Sequence, residues 1–136
     1  SPSICYSEAE SIDELQNYKV LFIDNVGMLS SLYQYGEYAY IGGGFGVGIH
    51  NILEAATYGV PVFFGPKYQK FNEAIELINR GGGMSINSSS ALLSELDLLM
   101  NNKELDSAKR KITTDYIKEN LGSSKIILEY IKTKLD

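Results

Sequence analysis

The amino-acid sequence predicts an α/β fold in which a doubly wound parallel sheet carries helices on both faces. Short apolar runs rich in β-branched and aromatic residues alternate with segments whose apolar residues recur at helical spacing. Glycine-bearing or polar loops at residues 24–27, 42–51 and 65–72 each follow a strand and precede a helix. Such alternation favours parallel strands joined by right-handed crossovers, so these three loops are expected to meet at the carboxyl edge of one sheet.

The first part of the chain contains three predicted strands. Val20–Asp24 is an apolar run that ends in a carboxylate, which predicts a buried strand. A marginal strand at Ile4–Tyr6 comes before it, and the polar, acidic segment Ser7–Asn17 between them is predicted to be an irregular connector. Apolar residues then recur at helical spacing over Val26–Tyr35, and Tyr38–Ile41 is the next strand.

Strands and helices alternate more regularly in the rest of the chain. The glycines at Gly81–Gly83 are expected to stop one helix, and the serines at Ser88–Ser90 to cap another. The predicted strands are Val60–Phe64 and Met84–Ile86, and the predicted helices are Asn51–Tyr58, Phe71–Arg80, Ala91–Asn101, Lys103–Asn120 and Ser123–Leu135.

Length and composition fit one globular domain over residues 1–136, since 44% of the chain is hydrophobic. A marginal first strand followed by an irregular connector suggests further strands upstream, as in a fragment of a longer enzyme. The single cysteine excludes an internal disulfide, and no run of about 18 apolar residues predicts a membrane span, so the fragment is expected to be soluble. A net charge of −5 argues against nucleic acid as a partner.

The most informative motif is the glycine loop, residues 42–50, between a predicted strand and a predicted helix. With its flanks, from Tyr40 to Glu54, it reads Tyr-Ile-Gly-Gly-Gly-Phe-Gly-Val-Gly-Ile-His-Asn-Ile-Leu-Glu. Its glycines are expected to leave backbone N–H groups bare for an anion, and the following helix points the positive end of its dipole at the same place. The glycine spacing differs from a dinucleotide fingerprint, and no Lys followed by Ser or Thr closes a P-loop. The loop therefore predicts phosphate or carboxylate binding and disfavours NAD binding or ATP hydrolysis.

Three polar side chains open the helix that follows. Asn51 and Glu54 are three residues apart and His50 is four before Glu54, so all three are expected on nearly one helical face. A carboxylate beside a phosphate site would repel the phosphate unless it binds another group, and a pair of sugar hydroxyls is the usual one. Since phosphate and sugar together make a nucleotide, the pattern predicts nucleotide binding. Alternatively, the glycines merely make a tight turn and Glu54 is a solvated or capping carboxylate. No second histidine accompanies His50, so no metal site is predicted.

Beyond these chemical arguments, the sequence resembles the carboxyl-terminal half of the 3-deoxy-D-manno-octulosonic acid (Kdo) transferases of lipid A synthesis. The likeness covers about residues 18–87. The segment Asp24-Asn-Val-Gly27-Met-Leu29 is similar to the family's Asp-Thr-x-Gly-Glu-Leu. The other matching segments are Gly42-Gly43 through His50-Asn51-x-Leu53-Glu54-Ala-Ala56, then Gly59-x-Pro61-Val62, Gly65-Pro66 and Phe71. The Glu-Ala-x-x-x-Gly-x-Pro-Val part is shared among GT-B glycosyltransferases, so it indicates the fold more than the sugar.

The resemblance implies a Rossmann-like domain, the carboxyl-terminal half of a GT-B fold, that binds the nucleotide sugar CMP-Kdo. The implied enzyme transfers Kdo to the lipid A precursor at the cytoplasmic face of the bacterial inner membrane, without a metal or other cofactor. Its amino-terminal acceptor domain, which supplies the catalytic carboxylate, is expected outside this chain, so the fragment alone should be inactive. The implied donor-binding residues are Gly27, Gly43, Gly44, Gly48, His50, Asn51, Glu54, Gly65, Pro66 and Lys67.

Three positions depart from the family pattern. Met28 replaces the usual Glu, Lys67 stands where many members have His, and Lys70 where many have Asn. Each lysine can either serve an anionic ligand through its charge or be a solvated surface residue. Two other hypotheses stay open: another GT-B transferase or epimerase that uses a UDP-sugar, and a non-catalytic module that binds a nucleotide.

Overall fold

A computed structural model describes residues 1–135, with the side chains at positions 125, 126 and 135 outside that description. The chain divides into two compact units, an N-terminal unit at Ser1–Leu32 and a C-terminal unit at Tyr33–Asp136. Within residues 1–135, every helix is too short or too polar to cross a bilayer.

The N-terminal unit is built on two short parallel strands. β1 (Ser3–Cys5) pairs with β2 (Val20–Phe22). The prediction of an irregular connector between them is wrong in part, because the connector contains a 3-10 turn at Tyr6–Glu8 and a one-turn helix, α1 (Ile12–Leu15).

A capping pair fixes the start of α1. Ser11 Oγ accepts the N–H of Glu14 at 3.2 Å, and the Glu14 carboxylate accepts the N–H of Glu10 at 2.9 Å. Ser-x-x-Glu is a known sequence signal for a helix start, so this helix was predictable from residues 11–14.

The helix predicted over Val26–Tyr35 is shorter and interrupted. Gly27 has φ +97°, a left-handed conformation that an α-helix does not contain, so the helical segment begins after it. α2 (Leu29–Leu32) ends the N-terminal unit, and a 3-10 turn at Tyr33–Tyr35 begins the C-terminal unit.

The C-terminal unit contains three parallel strands with helices after each of them. The strands are β3 (Ala39–Ile41), β4 (Val62–Phe64) and β5 (Gly83–Ser85), in the order β3-β4-β5. The helices are α3 (Leu53–Ala56), α4 (Asn72–Arg80), α5 (Ser89–Asn101) and α6 (Lys103–Leu135). The register sets Ile41, Phe64 and Ser85 side by side where the strands end.

Alternate residues of β4 point to opposite faces of this sheet. Val62 and Phe64 belong to one hydrophobic cluster with residues of α3, α4 and α6, whereas Phe63 belongs to a second cluster with Leu99 of α5. All three β4 side chains are buried, as expected for a parallel strand covered on both faces. The predicted doubly wound α/β arrangement is therefore confirmed.

One last helix replaces the two predicted ones, Lys103–Asn120 and Ser123–Leu135, and Gly122 lies between those two predicted ranges. α6 continues through this glycine, because an exposed glycine inside a helix costs only about 1 kcal/mol relative to alanine. Ser123 and Ser124 do not cap a new helix. Their hydroxyls donate to the carbonyls of Glu119 and Asn120, each at 3.1 Å, one turn earlier in the same helix.

Candidate functional site

Two loops leave the sheet of the C-terminal unit at the same edge. β3 and β4 are parallel neighbours, and residues 42–51 and 65–72 begin where these strands end. The predicted convergence of these two loops is confirmed. The third predicted loop, residues 24–27, belongs to the N-terminal unit, and its contribution to this edge stays a prediction.

The two loops touch through their backbones. A Cβ atom added to Gly44 would lie 2.5 Å from Gly65 N, closer than any side chain tolerates, so glycine is required for this approach. The N–H of Lys67 also donates to Gly44 O at 2.9 Å. Gly44 and Gly65 thus hold the loops together, and ligand contact from either one stays a prediction.

The glycine loop satisfies much of its own backbone. The N–H groups of Gly46 and Gly48 both donate to Gly43 O, at 2.8 and 3.2 Å, and the N–H of His50 donates to Gly42 O at 3.0 Å. Gly43 has φ +88°, which lets the chain fold back in this way. The expectation that the loop leaves its amides bare is wrong for Gly46, Gly48 and His50.

Two donors at the tip of the loop remain available. Phe45 and Val47 are exposed, and within residues 1–135 no acceptor lies in hydrogen-bonding reach of their N–H groups. The tip of the loop can therefore offer these two amides to an anion.

Asn51 and Glu54 form a pair at the start of α3. The expectation that His50, Asn51 and Glu54 share one helical face is wrong, because α3 begins at Leu53 and two of the three residues precede it. Asn51 Oδ1 accepts the N–H of Leu53 at 3.0 Å, and Asn51 Nδ2 donates to Glu54 Oε1 at 3.2 Å. Glu54 Oε2 accepts no hydrogen bond from the part of the chain that the structure describes, so one carboxylate oxygen is free for a ligand hydroxyl.

Tyr33 lies beside Glu54, and the sequence argument assigned it no specific role. Burial raises the pKa of the Tyr33 phenol, and the negative charge of Glu54 raises it further. The tyrosine packs against the same hydrophobic cluster as α3. No spacing rule links positions 33 and 54, so the sequence could not indicate this contact.

His50 is exposed and lies against the glycine loop. A Cβ on Gly43 would meet His50 Cδ2 at 3.3 Å, so the imidazole packs over the backbone there. Among the described residues, no three His, Cys, Asp or Glu side chains lie close enough together to hold a metal ion.

A basic cleft of about 250 Å³ lies between the glycine loop and the loop of residues 65–72. Lys67 and Lys70 give it two exposed ammonium groups, since neither lysine forms an ion pair with another described residue. The full lining is Gly46, Val47, Gly48, Lys67, Gln69, Lys70 and Phe71. The cleft is therefore electrostatically suited to an anion, although the chain as a whole is acidic.

The structure thus distributes the predicted site residues over several places. Gly48 and Lys67 line the basic cleft, and Pro66 lines a neighbouring cleft. Gly43, Gly44 and Gly65 shape the two loops. His50 ends the glycine loop, and Asn51 and Glu54 follow it. Gly27 lies in the N-terminal unit, with no atom within 4 Å of a Cβ built on it. Gln69 and Val47 line the basic cleft without having been singled out from the sequence.

Comparison with known proteins gives these residues a family context. No protein-family model matches the chain. A 3-deoxy-D-manno-octulosonic acid transferase of Aquifex aeolicus is 33% identical over 105 residues, which are 74% of this chain and 30% of that protein. The chain is a relative of the Kdo transferases. The corresponding transferase of Chlamydia trachomatis is 31% identical over 123 residues, 88% of this chain and 28% of that protein.

A solved structure of a CMP-Kdo binding domain has the same fold. The C-terminal CMP-Kdo binding domain of WaaA from Acinetobacter baumannii matches with a TM-score of 0.75 at 20% identity, over 85% of this chain and 61% of that one. The predicted resemblance and the α/β fold class are both confirmed. The chain spans less than a third of the length of the two curated transferases.

Proposed function

We propose that this chain is the donor-binding domain of a Kdo transferase and that it binds CMP-Kdo. Its relatives are named Kdo transferases, and the similar solved structure is a CMP-Kdo binding domain. In the proposed enzyme, a separate amino-terminal domain binds the lipid A precursor and supplies the catalytic carboxylate. The lipid acceptor then confines the reaction to the cytoplasmic face of the inner membrane.

The basic cleft is the observation on which this proposal depends. CMP-Kdo carries a phosphodiester and a sugar carboxylate side by side, so it presents two anions. Lys67 and Lys70 place two cations in one cleft at the carboxyl edge of the sheet, where ligands of doubly wound folds bind. The free N–H of Val47 adds a fixed donor in the same cleft.

Glu54 is proposed to hold the ribose of the donor. Asn51 fixes one carboxylate oxygen by a 3.2 Å hydrogen bond, which sets the orientation of the carboxylate. The other oxygen then accepts from a ribose hydroxyl, a charge-assisted hydrogen bond of the stronger kind. This geometry supports the ribose hypothesis.

The same groups assist departure of the leaving group. When the bond from Kdo to phosphate breaks, negative charge grows on the phosphate of CMP. The ammonium groups of Lys67 and Lys70 and the N–H of Val47 stabilise that charge more strongly than they stabilise the intact ester, which lowers the barrier. We propose that these groups act without a metal.

The proposal is tested by titrating CMP-Kdo into the chain by calorimetry and comparing Lys67→Gln with the unchanged chain. We expect about tenfold weaker binding, because one cation is removed from the anion site. Lys103→Gln is the matched control, since Lys103 is exposed at the start of α6 and does not line the cleft.

Two results would overturn the assignment. If Lys67→Gln and Lys103→Gln bind CMP-Kdo with equal affinity, the basic cleft is not part of the donor site. If UDP-N-acetylglucosamine stabilises the chain against heat and CMP does not, the donor is a UDP-sugar and not CMP-Kdo.

A further inference from the structure

A larger cleft shares Gln69 with the basic cleft. We call it the polar cleft; its volume is about 460 Å³, within the roughly 300–1,000 Å³ typical of ligand sites. It joins the carboxyl end of β5 to the first turns of α5. Its lining includes Tyr68, Gln69, Ser85, Asn87 and Glu95, and none of the last three was singled out from the sequence.

Several polar groups of this cleft form no hydrogen bond with the described part of the chain. Among the described residues, none hydrogen-bonds to the side chains of Ser85, Asn87 or Glu95. Gln69 uses its Nε2, which donates to Pro66 O at 2.7 Å, so its Oε1 is left available. The cleft therefore presents a hydroxyl, an amide and a carboxylate that can all bind one ligand.

The charge of the polar cleft is opposite to that of the basic cleft. Glu95 is the charged residue of its lining, and no lysine or arginine lines it. A carboxylate repels phosphate and accepts hydrogen bonds from hydroxyl groups. The polar cleft thus suits a neutral, hydroxyl-bearing group.

Tyr68 supplies an apolar surface in the same cleft. Its ring packs edge-to-face on the buried Phe64, with centroids 5.5 Å apart and an interplanar angle of 64°. This contact holds the ring in place, so that it can pack against the C–H groups of a sugar.

We propose that the polar cleft receives the hydroxylated carbon chain of the donor's sugar acid while the basic cleft holds the anionic groups of the same ligand. This inference rests on the proposed function. Gln69 lines both clefts, so the two clefts are neighbours and one ligand can occupy both. In the proposed arrangement the nucleotide part of the donor lies outside the polar cleft, away from Glu95 and Asn87.

The test compares CMP with CMP-Kdo as ligands of the unchanged chain, Glu95→Gln and Asn87→Ala. We expect each variant to bind CMP within twofold of the unchanged chain and to bind CMP-Kdo about tenfold more weakly, the size of a lost hydrogen bond to a charged or amide group. Glu104→Gln, an exposed carboxylate on α6, is the control and should bind both ligands normally. Melting temperatures should be unchanged, because neither side chain has a protein hydrogen bond.

The outcomes separate this inference from the proposed function. Equal weakening of CMP and CMP-Kdo, or no weakening of either, overturns the assignment of the polar cleft while leaving donor binding intact. Failure of the unchanged chain to bind CMP overturns the proposed function and this inference with it. If Glu95→Gln lowers the melting temperature, the test depends on Asn87→Ala alone. Asn87 is exposed, so its truncation should not affect folding.

Discussion

β2 and β4 have nearly the same apolar sequence, Val-Leu-Phe and Val-Phe-Phe, yet they differ completely in burial. The residues of β2 are 40–56% exposed, whereas those of β4 are at most 1% exposed. β4 is the middle strand of three with helices on both faces, while the N-terminal unit offers β2 one neighbouring strand and one-turn helices. The prediction of a buried strand at Val20–Asp24 is therefore wrong about burial. An apolar run predicts a strand, but the elements packed around it decide whether it becomes core.

The strongest test of this comparison is a pair of truncations. Phe64→Ala should lower the free energy of unfolding by about 3–5 kcal/mol, because it removes a fully buried ring and leaves a cavity. Phe22→Ala should lower it by less than about 1 kcal/mol, since its side chain is 56% exposed. Denaturant unfolding followed by circular dichroism measures both. Similar losses in the free energy of unfolding would mean that Phe22 and Phe64 are equally buried, which would contradict the difference between β2 and β4.

A smaller effect is expected within the glycine loop. Gly44→Ala should lower the free energy of unfolding by about 1–3 kcal/mol, because the new Cβ lies 2.5 Å from Gly65 N and forces the two loops apart. Gly46→Ala is the matched control, since its Cβ would meet Gly43 O at an ordinary 3.5 Å. Thermal unfolding of both variants makes the comparison. If Gly44→Ala is as stable as Gly46→Ala, the loop contact is not structural.

The smallest effect concerns a hydrogen-bonded pair, Ser7 and Asp24, within the N-terminal unit. Ser7 donates two hydrogen bonds to the Asp24 carboxylate, one from its hydroxyl and one from its N–H at 3.0 Å. Both lower the pKa of the Asp24 carboxyl below its ordinary value, and the hydroxyl has the larger effect. The two hydrogen bonds stabilise the folded state fully at a pH above the ordinary pKa of an aspartate. That stabilisation is lost as the pH falls through the lowered pKa of Asp24. Ser7→Ala should raise the pKa of Asp24, measured by NMR titration of the side-chain carboxyl, while Ser3→Ala should leave it alone. An unchanged pKa in Ser7→Ala would show that the hydroxyl is not the cause.

Much of the fold of the C-terminal unit was predictable, because its signals are local. The apolar run at Val60–Phe64 and the helical spacing over Phe71–Arg80 identified β4 and α4. The turn after α4 was predictable from Gly81, whose φ of +90° suits the left-handed end of a helix. The order of strands and helices then placed the glycine loop at the carboxyl edge of the sheet.

The missed features depend on contacts between distant residues or on competition between local ones. The approach of Gly44 to Gly65 joins two loops, so no motif within either loop predicts it. Asn51 was assigned to a helical face, but it precedes α3, and its side-chain oxygen accepts the N–H of Leu53, the first residue of the helix. Tyr68 and Glu95 line the polar cleft from separate parts of the sequence. A site of this kind can be recognised in the folded structure but not from a sequence motif.

The central claim is that the basic cleft binds the cytidylated donor. It is tested most directly by recording amide chemical shifts of the ¹⁵N-labelled chain during a titration with CMP. The account predicts that the largest changes occur at Phe45, Val47, Gly48 and Lys67. Changes confined to other parts of the chain, or none at all at saturating CMP, would contradict it.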